Sequence, residues 1–169
     1  MNPVTIGGVT IGIAILLHHV VTWWPGLKRL RKDPAGAAAA LAPFLLAWAY
    51  GVLAILTVGG IIGWIADGVL WISSWLGDVA LVWGVGGTTG TAAGRTTYLP
   101  LTQTGTAVVL LLTVLLLAAM KKSAYGSALK SGAWCGICLG TSAGVTGLAA
   151  VPLAQAVNWL GANAYGIFA

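Results

Sequence analysis

Charge is what this chain lacks most. Only 7% of its 169 residues are Asp, Glu, Lys or Arg, against about 25% in an ordinary soluble domain. So few charges cannot cover a water-facing surface. Acidic side chains number three, Asp33, Asp67 and Asp78, and none is paired with another for general acid–base work. The two histidines, His18 and His19, are adjacent. Neighbours on a helix point about 100° apart, so within one chain they cannot face each other across a haem. They read as residues near the membrane surface. The two cysteines form a single C-x-x-C, Cys135 and Cys138, with no second pair to complete a zinc site. Three residues apart on a helix, they read as small apolar packing groups. The stretch GVGGTTG at 84–90 lacks the Lys-Ser/Thr ending of a phosphate loop. No catalytic, cofactor-binding or metal-binding residue emerges, no cofactor is implied, and the expectation is a protein that is not an enzyme.

What the chain has is apolar length: 59% of its residues are hydrophobic. A helix crossing roughly 30 Å of hydrocarbon needs about 20 mostly apolar residues, and several runs supply them. The reading is an all-α integral membrane protein with four transmembrane helices plus an interfacial or re-entrant Trp-rich helix, in one membrane domain over 1–169. The first span, about 4–24, ends in Trp23 and Trp24, indoles suited to the headgroup level. It lacks a basic leading segment and a small-residue cleavage site, so it reads as a retained anchor. Pro25-Gly26 stops it. Asp33 is an N-cap with Pro34 in the first turn, leading to a second span at about 41–66. A third span at about 101–120 holds the most continuous apolar run, and a fourth is placed at about 131–157. Trp159 and Tyr165 then serve as interface anchors in the tail.

The segment at about 67–85 is long enough to cross, but Asp78 and the Ser73-Ser74 pair interrupt it. An aspartate at the bilayer centre costs about 2.5–3.5 kcal/mol on insertion scales. Trp64, Trp71 and Trp75 recur at seven and four residues and share one helical face. These features predict a helix lying on the membrane surface or dipping into it, followed by a Gly/Thr-rich outer loop at 86–100.

Basic residues fix the orientation. Lys28, Arg29, Arg31 and Lys32 form one cluster, Lys121, Lys122 and Lys130 another, and Arg95 stands alone. Four spans put seven Lys/Arg on one side against one on the other. By the positive-inside rule the clusters are cytoplasmic and both termini lie outside the cytoplasmic membrane. The partner this implies is the lipid bilayer, with the clusters near anionic headgroups. The same distribution gives no direct support to nucleic acid binding.

Gly132, Gly136, Gly140 and Gly144 recur every four residues and clear one face of the fourth span. Membrane helices associate through such faces because backbones can then approach closely. The row packs either against another span of the same chain or as a seam between copies in a homo-oligomer; the second use is the basis for expecting self-association. The pairs Gly8/Gly12 and Gly59/Gly63 show the same spacing once each.

Two segments, WWPGLKRLRKDPAG in the Trp-rich first half and the glycine-row helix GAWCGICLGTSAG, resemble the small multi-pass spread proteins of actinomycete conjugative plasmids. That resemblance implies an oligomeric, pore-like component assisting plasmid transfer, alongside other membrane components of a transfer machinery. The hairpin over 101–157 also resembles conjugative pilins. The leading expectation is therefore a self-associating membrane protein forming a ring, pore or structural part of a transfer or envelope assembly. The alternatives are an accessory subunit with no pore of its own, and a phage-type lysis pore.

Overall fold

Thr5 begins the first helix by accepting a hydrogen bond from the Gly8 amide at 3.2 Å, satisfying one of the free donors at a helix start. The computed structural model describes residues 5–26, 33–57, 59–92, 101–122, 125–140, 142 and 149–168. Helix α1 is Ile6–Trp23, followed by a short 3-10 turn at Trp24–Gly26. Helix α2, Pro34–Leu56, opens as expected, with Asp33 accepting from the Gly36 amide at 3.0 Å and Pro34 in the first turn. Then come α3, Gly60–Val85, α4, Gln103–Lys122, α5, Gly126–Gly140, and α6, Ala150–Phe168. The fold is all-α with six helices, and α1 to α4 are each long and apolar enough to cross a membrane.

Contacts fix how the helices run. His19 stacks on Phe44 with ring centroids 4.0 Å apart, while Val9 packs into the cluster of Ala54 and Ile55. α1 and α2 are therefore antiparallel. Tyr50 bonds Thr113 at 3.0 Å, Leu53 shares a cluster with Val109, and Ala47 shares one with Met120, so α4 is also antiparallel to α2. Gly132, Gly136 and Gly140 meet Phe44, Trp48 and Val52 in turn, so α5 runs parallel to α2. One end of the bundle, the lysine end, thus gathers the end of α1, the start of α2, Lys121 and the start of α5. The other, the distal end, gathers the start of α1 and the ends of α2 and α5.

α3 does not travel between these ends. It begins just past the distal end of α2, and the loop that follows it returns to the same place, where Thr91 accepts from the Ile6 amide at 2.9 Å and Ala92 bridges Thr5. Along its length it touches several neighbours in turn. Ile62 packs at the Leu53 and Val109 cluster, Ala66 and Leu70 meet Ala54, Ile55 and Ile137, and Ser74 and Gly77 meet Gly8 and Gly7. This 26-residue apolar helix, itself long and apolar enough to cross a membrane, thus has both of its ends near the distal end of the bundle.

Three boundaries need correction. The span placed at 41–66 ends at Leu56, because Gly59 and Gly60 both take positive φ (83° and 72°), a conformation that costs glycine little and breaks a helix. The Trp-rich helix accordingly starts at Gly60, not at 67. The span placed at 131–157 is not one helix: α5 stops at Gly140 and α6 begins at Ala150. At about 1.5 Å per residue, the 15 residues of α5 fall short of a full crossing. α6 instead sits at the distal end, with Ala150 and Ala154 clustered on Val52 and Leu56.

Candidate functional site

The residues singled out by sequence fall into three groups. The first is the glycine row. A Cβ at Gly132 would stand 2.5 Å from the Phe44 carbonyl oxygen, one at Gly136 would run into the Trp48 carbonyl, and one at Gly140 would stand 2.9 Å from Ile55 Cγ2. Gly51 on α2 answers in kind, its missing side chain leaving room for the backbone of Ala133 and Ile137. All three described members of the row are buried, so their closest packing is inside one chain. Of the two uses the sequence left open, Gly132, Gly136 and Gly140 take the first, close packing within the chain; Gly144 lies outside the described residues. Spacing alone told that this face packs closely. It could not tell against what.

The second group is the Trp face. Trp64, Trp71 and Trp75 are 82%, 58% and 60% exposed, on the side of α3 opposite the buried stripe Gly63, Ala66, Leu70, Ser73 and Gly77. Ile61 and Ile65 share that outward face. The row is thus free to meet lipid or another protein, as an interfacial face requires.

The third group is the basic clusters. Lys121 and Lys130 are both exposed at the lysine end. Lys28, Arg29, Arg31, Lys32 and Arg95 lie outside the described residues, as does the side chain of Lys122. The first cluster occupies the connection between Gly26 and Asp33, both at the lysine end.

The remaining polar groups serve packing. Cys135 is fully buried and donates from Sγ to the Gly12 carbonyl at 3.3 Å, and Cys138 is buried beside it as a free thiol. Gly12 leaves room that Leu139 and Cys138 fill. His18 is exposed and His19 is held on Phe44. Among the described residues no three His, Cys, Asp or Glu side chains gather as metal ligands.

Sequence reading missed a second close junction, between α1 and α3. Gly7 of α1 lies so closely on the backbone of Gly77 and Asp78 of α3 that it could not carry a Cβ, and Gly8 lies against Ser74. Asp78 accepts from the Gly90 amide at 3.3 Å and so ties the outer loop down. Its carboxylate also lies against Gly7 in the first turn of α1, where the helix dipole favours negative charge. The aspartate that argued against a crossing helix thus has a local structural role. Two further ties were also missed. Trp134 donates to Ser73 at 2.8 Å, fastening α5 to α3, and Asn158 accepts from the Thr102 amide and hydroxyl at 2.9 and 3.0 Å, fastening α6 to the start of α4. The signals were present as Gly7-Gly8-x-x-x-Gly12 and an Asn in an apolar helix, but their partners lie 56 to 127 residues away.

No family model, no curated protein and no solved structure matches this chain. The chain is a possible multi-pass membrane protein with four candidate spans, and its functional reading rests on its own geometry.

Proposed function

We propose that this chain is an accessory, non-catalytic subunit of a larger membrane assembly. The observation carrying this reading is the division of its surfaces. The glycine row, the feature best suited to self-association, is spent against α2 within the chain. The apolar Trp face of α3 remains outward. The hydroxyl, amide and indole pairs Tyr50–Thr113, Thr102–Asn158 and Ser73–Trp134 join helices to one another, which supports a packing role. The likeness to conjugative spread proteins points to a plasmid-transfer apparatus as the setting. Mass measurement on the purified protein in nanodiscs tests this: a monomer is expected, and a defined homo-oligomer would return the reading to a ring or pore.

The lysine end is cytoplasmic in this reading, and the N-terminus and the loop after α3 are outside the cell membrane. Support comes from the placement of Lys121 and Lys130 with the connection carrying residues 28–32 at one end, while Thr5 and Thr91 meet at the other. Charge bias of this kind sets orientation during insertion. Single cysteines at positions 30 and 90, with Cys135 and Cys138 replaced, give the check. Impermeant reagent on intact cells is expected to label position 90 and spare position 30; the reverse pattern overturns the orientation.

A further inference from the structure

A crevice of about 170 Å³ opens on the side of the bundle where α2, α3, α4 and α5 meet. Its wall is apolar, from Ile62 and Ala54 towards the distal end to Leu116 and Met120 towards the lysine end. The two hydroxyls in the wall, Tyr50 and Thr113, are bonded to each other at 3.0 Å and so present little polarity to an occupant. Ile65 and Leu117 on its rim are 61% and 56% exposed. In a bilayer such an opening faces hydrocarbon.

Charge distinguishes one mouth of this crevice. Lys121 follows the lining residue Met120, and Lys130 precedes the lining residue Ala133 by three positions, about one helical turn nearer the lysine end. Both lysines are exposed. No acidic side chain follows Asp78 in the sequence, so neither lysine has a carboxylate on its own helix. A linear apolar slot leading to two cations at the membrane surface has the polarity of a single lipid: chain inward, phosphate at the lysines.

We propose that this crevice seats the headgroup-proximal part of one acyl chain of an anionic phospholipid whose phosphate is bound by Lys121 and Lys130. Hydrocarbon fills the gap between α3 and α4, and the phosphate gains two cations where surface lysines draw anionic lipid most strongly. The proposal rests on membrane placement alone, so the oligomer measurement above leaves it standing or falling separately.

The test uses the full chain in nanodiscs of phosphatidylglycerol and phosphatidylcholine with identical acyl chains in equal amounts, released into native mass spectrometry. The parent is expected to keep one phosphatidylglycerol, favoured about tenfold over phosphatidylcholine. Lys121→Gln with Lys130→Gln, both surface changes, is expected to bring the two lipids to parity. Leu117→Trp, which fills the mouth from the lipid side, is expected to lose the bound lipid while helicity by circular dichroism stays unchanged. Equal retention of the two lipids by the parent overturns the proposal, as does undiminished preference in the double lysine variant. Undiminished retention in Leu117→Trp overturns the seat in the crevice.

Discussion

Gly136→Ala, a change of one methyl group, is expected to destabilise the protein by about 3 kcal/mol, the upper part of the usual overpacking range. The added carbon would run into the Trp48 carbonyl oxygen, with Gly51 Cα only 3.0 Å away. Those neighbours are backbone, which cannot rotate aside as a side chain can. α5 and α2 would have to separate along their shared length, loosening the packing at Gly132 and Gly140 too. Gly136→Leu should prevent folding altogether. Gly68 supplies the control, because a Cβ there meets nothing within 4 Å. Gly68→Ala is expected to be neutral or to stabilise by about 0.5–1 kcal/mol, through helix propensity alone. Denaturant titration in detergent, followed by circular dichroism, reads both. Equal stability of the two alanine variants would mean that the α2–α5 contact yields at small cost.

Gly77→Val is expected to act differently, by releasing one helix from an otherwise intact bundle. A Cβ at Gly77 would meet the Gly7 carbonyl group, with Gly7 Cα 2.7 Å away. α3 would lift from the start of α1, and the ties from Thr91 to Ile6 and from Gly90 to Asp78 would open with it. The packing of α2 on α5 involves neither residue. Hydrogen exchange at the Ile6 and Gly90 amides should therefore accelerate about tenfold or more, the equivalent of about 1.4 kcal/mol or more of lost protection, while amides within α2 and α5 hold theirs. Acceleration throughout the chain would show instead that α3 is part of the cooperative core.

Legibility in the sequence followed the range of the interactions involved. Local chemistry was readable: the Asp33 cap with Pro34 and the shared exposed face of Trp64, Trp71 and Trp75. Helix ends set by paired glycines were harder, because Gly59-Gly60 lies inside an uninterrupted apolar run and hydrophobicity does not register φ. The end of α5 at Gly140, inside a stretch read as one span, was not read either. Partner choice was least readable. The row Gly132, Gly136, Gly140 announces a close neighbour, but the complementary gap at Gly51 lies 85 residues away from Gly136 and repeats at no spacing. Gly7 and Gly8 looked ordinary in a chain with 25 glycines until Gly77 was seen to lie on them.

The placement of both ends of α3 near the distal end makes the two ends of the bundle unequal. Around the lysine end the protein consists of four helix sections, α1, α2, α4 and α5. Towards the distal end, α3 and the packed half of α6 are added. Among the described residues the bundle is therefore broader at its distal end than at its lysine end.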